Sequence, residues 1–118
     1  MKYVVDSSFI IFLLRKKRLD KLLSYEELYC PKGVIDELTR KWYKYSVKEI
    51  LVLIKTKKLV VLDVKNPKLY KGLSKTDCEV IELAKRLKAK VLTKDKGIIK
   101  ILEGFKRNNA AAGIRTRA

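Results

Sequence analysis

Asp6, Glu37, Asp77 and Asp95 are the acids of this 118-residue chain best placed to do chemistry. Asp6 closes the apolar run "KYVVD", and Asp95 follows another, "KVLTK". Asp77 sits in the first turn of the amphipathic stretch "SKTDCEVIELAKRLKA", and Glu37 in the early turns of a segment that follows Pro31. Strand ends and the starts of the following helices share one rim in a parallel α/β sheet, so the four carboxylates are expected to converge there. Crowded carboxylates repel and raise one another's pKa. A hard divalent cation relieves that repulsion, and Mg²⁺ takes one or two carboxylates directly while keeping several waters. Two such ions about 4 Å apart can activate a water and stabilise the leaving oxygen of a phosphodiester.

The elements that must position these acids are legible from periodicity. Apolar runs at 2–6, 26–30, 59–64 and 90–93 read as strands. Helical patterns cover 9–16, 18–24, the segment after Pro31, 46–57, 74–89 and 95–104. Ser7 or Ser8 is placed to cap the first helix. "SKTD" at 74–77 has the spacing of a capping box, in which Ser74 would cap through its hydroxyl and leave Asp77 free to point along the rim. "KNPKLYKG" (65–72) is a loop. The alternation of strands and helices implies an α/β fold of three layers around a parallel sheet of four to five strands. Length implies one domain, taken as residues 1–107. The segment 108–118, "NNAAAGIRTRA", lacks periodicity and is set aside as a disordered or appended end.

Each acid also has a plain structural role open to it. Asp6 could cap a helix, Glu37 could favour a helix dipole, Asp77 could complete a cap and Asp95 could start a helix. Their shared rim carries the argument. Asp36 is the internal control: it points about 100° away from Glu37 on the helix, so only one of the pair should face the basin.

Composition narrows the partner. The chain has 29 Lys and Arg against 13 Asp and Glu, a net charge of +16. Such an excess points to a polyanion, most simply nucleic acid, although a Lys-rich solvated surface would also produce it. There is no histidine, which removes Ser-His and Cys-His nucleophiles and every histidine metal site. Cys30 and Cys78 lack zinc or redox spacing and read as buried thiols of a reducing cytoplasm. The apolar stretch Phe9–Leu14 is too short for a membrane span and has no cleavage site after it. Trp42, Tyr43 and Tyr45 form an aromatic cluster suited to helix packing, a groove for a partner, or a dimer contact.

"VVDSSFII", "PKGVIDEL" and "LSKTDCEVIELAKRLKAKVLTKDKGI" together resemble the PIN-domain nucleases, over nearly the whole chain to about residue 105. The resemblance implies a three-layer α/β/α fold and a Mg²⁺- or Mn²⁺-dependent endoribonuclease that cuts single-stranded RNA. It carries the family's acids onto Asp6, Glu37, Asp77 and Asp95, as catalytic and metal-binding residues. Ser7, Ser8 and Thr93 match hydroxyls that support metal or substrate. Lys75, Lys94 and Lys96 flank the proposed rim as phosphate contacts, and Lys94 stands where some relatives carry a further acid. Two subfamilies compete. VapC-type toxins are short, single-domain and paired with an antitoxin; for this chain that reading implies a cytoplasmic protein, with an antitoxin or a second copy of itself as the partners to look for. Archaeal rRNA-maturation nucleases share the "LSKTDCEVIELA" wording but add a zinc ribbon, which two cysteines cannot build. A non-catalytic RNA-binding domain of the same fold is the third reading.

Overall fold

The computed structural model describes residues 1–41, 47–108 and 116–117. Trp42, Tyr43 and Tyr45 lie outside the described residues.

The first apolar run forms β1 (Lys2–Val5), and the chain passes straight into α1 (Ser7–Arg15). A short 3-10 helix (Leu19–Ser24) leads to β2 (Glu27–Pro31) and α2 (Lys32–Lys41). Then come α3 (Val47–Lys55), β3 (Val60–Leu62), α4 (Lys75–Leu87), β4 (Lys90–Leu92) and α5 (Lys96–Asn108). A two-residue strand, β5 (Thr116–Arg117), lies within the segment set aside above and pairs with β4.

All strand pairs are parallel, in the order β3-β2-β1-β4-β5. β1 is central, between β2 and β4. Val4, Val5, Val91 and Leu92 are wholly buried, as central parallel strands require. The strand order reverses between β1 and β4. Right-handed crossovers place α1 to α3 on one face and α4 and α5 on the other. α1 accordingly contacts α2, and α4 contacts α5 while crossing β1, β2 and β4. Ile10, Leu38, Ile50, Ile81, Ile98 and Leu102 fill the space between helices and sheet.

Helix ends depart from the sequence expectation in two ways. Asp6, not Ser7 or Ser8, is the residue before α1, and its side chain makes no cap bond. Its backbone is still extended, and its carbonyl accepts from the N–H groups of Phe9 and Ile10. That frees the carboxylate for another task. At the other ends, α1, α3 and α4 stop on left-handed lysines: Lys17, Lys57 and Lys88 have φ of 54°, 61° and 54°. The residue after each donates to the carbonyl five back, as Arg18 to Leu13, Lys58 to Leu53 and Ala89 to Ala84. These are Schellman motifs with lysine in the place usually held by glycine.

Candidate active site

The strand order reverses at β1 and β4, where a doubly wound sheet opens its binding crevice. Asp6 leaves β1 there and Thr93 leaves β4. Asp6 is 1% exposed and Thr93 wholly buried. Thr93 Oγ1 donates to Asp6 Oδ2 at 2.9 Å, and Ser8 Oγ donates to the same oxygen at 2.6 Å. Each hydroxyl accepts a backbone N–H in turn, Ser8 from Lys94 at 2.9 Å and Thr93 from Asp95 at 3.0 Å. Those two bonds orient both hydroxyl protons toward Asp6. The loop after β4 therefore holds one carboxylate oxygen of a residue 87 positions earlier.

The other oxygen, Asp6 Oδ1, is buried and has no hydrogen-bond partner. A buried acceptor left unmade is unfavourable by several kcal/mol, on the order of 1–3. Burial raises the Asp6 pKa, against the lowering effect of its hydroxyl donors. An orphaned oxygen on an acid pinned by its other oxygen is what a proton or a hard cation occupies.

Asp77 and Asp95 are anchored by the helices they start. Ser74 and Asp77 form the full capping box of α4: Asp77 N donates to Ser74 Oγ at 3.1 Å, and Ser74 N donates to Asp77 Oδ2 at 3.3 Å. Asp77 is thus not free, as the sequence suggested; Oδ2 is tied back to the cap and Oδ1 remains. The reason is reciprocal geometry, since an acid at the third helical position reaches its own N-cap amide. Asp95 Oδ1 accepts from Ile98 N at 3.0 Å and caps α5. The Asp77 pKa is raised, first by burial, then by the nearby charges of Asp6 and Asp95. Three aspartates therefore share one electrostatic basin.

Glu37 is held by a different hydroxyl, Ser7 Oγ donating to its Oε1 at 3.2 Å, and its charge is not among those that act on Asp77. Asp36 is exposed, so the pair divides as helix geometry requires. Ser7 and Ser8, equivalent in the sequence, have separate duties, one on Glu37 and one on Asp6. Lys94 stands at the edge of the basin with its ammonium 4.3 Å from the centre of the Phe12 ring. Lys75 acts electrostatically on Glu79, and Lys96 is exposed.

A PIN-domain family model matches residues 2–102. The chain belongs to the PIN-domain family.

Solved PIN-like structures agree on the fold. A PilT N-terminus domain protein from the hyperthermophilic archaeon Sulfolobus solfataricus P2 superposes with a TM-score of 0.68 at 16% identity, over 99% of this chain and 86% of that one. The PIN domain endonuclease Utp24 does so with a TM-score of 0.59 at 21% identity, over 99% and 85%. No curated protein matches. The three-layer architecture expected from the sequence is the one found.

Among the described residues of this PIN domain, no three acids or thiols form a ready-made ligand set. The donor set still fits a hard cation. Mg²⁺ asks for only one or two carboxylates beside its waters. On these three aspartates Asp6 Oδ2, Asp77 Oδ2 and Asp95 Oδ1 are engaged in hydroxyl bonds or helix caps, which leaves Asp6 Oδ1, Asp77 Oδ1 and Asp95 Oδ2 to meet a cation. Thiols do not compete as nucleophiles, because burial pushes the Cys30 thiol up to about 12 and Cys78 is buried, accepting from Tyr70 N.

Two residues of this PIN-domain site escaped the sequence reading. Phe12 follows Ser8 by one helical turn and supports Lys94; the Ser8-Phe12-Lys16 spacing of four was the available signal. Gly97 opens α5, and a Cβ there would come within 2.8 Å of a Leu73 methyl and 3.1 Å of Asp95 Oδ1. The glycine two residues after a capping aspartate was the clue.

Proposed function

We propose that this PIN domain is a divalent-metal-dependent endoribonuclease that hydrolyses phosphodiesters of single-stranded RNA, in the manner of a VapC-type toxin. The observation that carries the reading is the buried, unpartnered Oδ1 of Asp6, an acid whose charge acts on Asp77 together with that of Asp95. Asp6, Asp77 and Asp95 would hold Mg²⁺ or Mn²⁺, directly or through water. When bound, the ion supplies a Lewis acid for the phosphoryl oxygens and lowers the pKa of a bound water.

The chain's own residues do the rest. Ser8 and Thr93 fix the Asp6 carboxylate in one rotation, so that its reactive oxygen is presented without reorganisation. Ser7 holds Glu37, which would orient the attacking water or a second ion. Attack would come in line at phosphorus, with no protein nucleophile. Lys94, Lys96 and Lys75 would bind the phosphates on either side of the basin. An antitoxin protein and a homodimer belong to the toxin-like reading and stand as expectations with it. Among the described residues no helix is long and apolar enough to cross a membrane; a cytoplasmic location is part of the same toxin-like reading.

The test is cleavage of a labelled single-stranded RNA with Mg²⁺, with Mn²⁺ and with chelator. Wild type should cut only with metal, and Asp6→Asn and Asp77→Asn should fall to background. An Asp77→Asn protein that cuts as fast as wild type would sink the reading. RNA binding with no cleavage under either metal would instead favour a non-catalytic RNA-binding domain.

A further inference from the structure

A groove of about 470 Å³ runs between the loop before α4 and the exposed side of α5. Its volume lies within the range of about 300–1,000 Å³ typical of small-ligand sites. Tyr70 and Phe105 line it, with ring centres 5.9 Å apart. Gly97, Ile101 and Gly104 bring one face of α5 to it, and at Gly104 an added Cβ would meet nothing within 4 Å. Tyr70 also carries a buried hydroxyl with no hydrogen-bond partner among the described residues.

The charged residues that line this groove are lysines, although the Glu82 carboxylate lies near enough to act on Tyr70. Lys71 and Lys100 line the groove, and no acid does. Two further lysines lie over its rings, Lys68 at 5.4 Å from the Tyr70 centre and Lys85 at 5.0 Å from the Phe105 centre. An apolar, aromatic slot edged by ammonium groups matches a ligand with flat faces and a phosphate backbone. The slot is also continuous with the acid basin. Leu73 and Gly97 belong to its wall, and the same Gly97 lies against the Asp95 carboxylate.

We propose that this groove is a nucleobase subsite, in which an unpaired base of the RNA lies against Phe105 and Tyr70 while Lys71 and Lys100 hold the adjoining phosphates. The proposal rests on the endoribonuclease reading for its ligand and extends it from the scissile phosphate to a neighbouring nucleotide. The base anchored beside Asp95 would set which phosphate reaches the basin, and so the position of the cut.

Fluorescence anisotropy of a short labelled single-stranded RNA tests it, in chelator so that cleavage plays no part. Gly104→Leu fills the groove from open space and replaces a poor helix former with a good one, so the variant keeps its fold. It should bind RNA roughly five-fold or more weakly, the lower end of what one base stacked on an aromatic contributes. Phe105→Ala should do the same, and Lys100→Gln should reduce the slope of log affinity against log salt by about 0.7. Unchanged RNA affinity in both Gly104→Leu and Phe105→Ala overturns the proposal. So does a result in which those variants bind RNA normally but lose self-association in sedimentation, which would make the groove a protein contact. Binding without metal is read separately from cleavage, so a failed subsite and a failed nuclease give different outcomes.

Discussion

Asp6 is the residue on which burial and charge pull hardest. Its pKa and that of Asp77 are raised from the ordinary 3.8, in both cases first by burial. A carboxyl whose pKa rises on folding holds its proton more tightly in the folded chain. Its contribution to stability is full below 3.8 and is lost as pH climbs through the raised value. The melting temperature of metal-free wild type should therefore fall relative to that of Asp6→Asn as pH rises from 3.8 to 7, by calorimetry at constant ionic strength. Asp6→Asn removes one of the repelling charges, and its amide oxygen can still accept from Ser8 and Thr93. In chelator at pH 7 it should melt higher than wild type, and added Mg²⁺ should raise the melting temperature of wild type alone. Ser8→Ala loosens the acid without removing it, and a drop of about 10- to 100-fold in metal-dependent cleavage is expected. The positions of Asp6, Asp77 and Asp95, at strand ends and helix starts, could be read from sequence because those ends mark one rim. The distinct partners of Ser7 and Ser8 could not, since neighbouring serines differ only by the turn of a helix not yet built.

At the scale of elements, each site aspartate after the first is also a helix-starting device, and the two roles can be separated. Asparagine caps a helix about as well as aspartate but carries no charge. Asp95→Asn should thus unfold in urea with an unchanged midpoint while losing cleavage. Asp95→Ala should lose both, with about 1 kcal/mol of stability gone. Ser74→Ala breaks the capping box of α4 and should lower the melting temperature by about 4 °C. Helix starts were legible because Ser74 and Asp95 are good capping residues. Helix stops were not. The pattern for the helix near residue 50 ran to residue 57, yet α3 ends at Lys55, because Lys57 takes the left-handed turn without the glycine that would announce it. Lysine suits the negative end of a helix electrostatically but strains its own backbone. Lys88→Gly, at the opposite end of α4 from Asp77, should stabilise the protein by roughly 0.5–1 kcal/mol and leave cleavage unchanged.

Over the whole molecule, a net charge of +16 accompanies three neighbouring aspartates, Asp6, Asp77 and Asp95. The excess attracts a polyanion to the surface at large, whereas the basin repels it until a cation intervenes. RNA affinity should fall steeply with salt, with a slope of about −0.7 for each phosphate contacted. Composition points to a polyanion as partner, but the groove beside α5 could not be read from it. It depends on how two segments some thirty residues apart pack, and no local pattern records that. The sheet order has a consequence in time as well as in space. β1, made first, lies at the centre of the sheet and completes its pairing only with β4, residues 90–92. Asp6 is then clasped by Thr93, 87 residues later. Chains emerge from synthesis N-terminus first, and contacts so distant in sequence close late. A growing chain still attached to its own message has no clasped Asp6 until nearly all of the fold has emerged, so the proposed ribonuclease would be idle toward the transcript that encodes it while that transcript is being read.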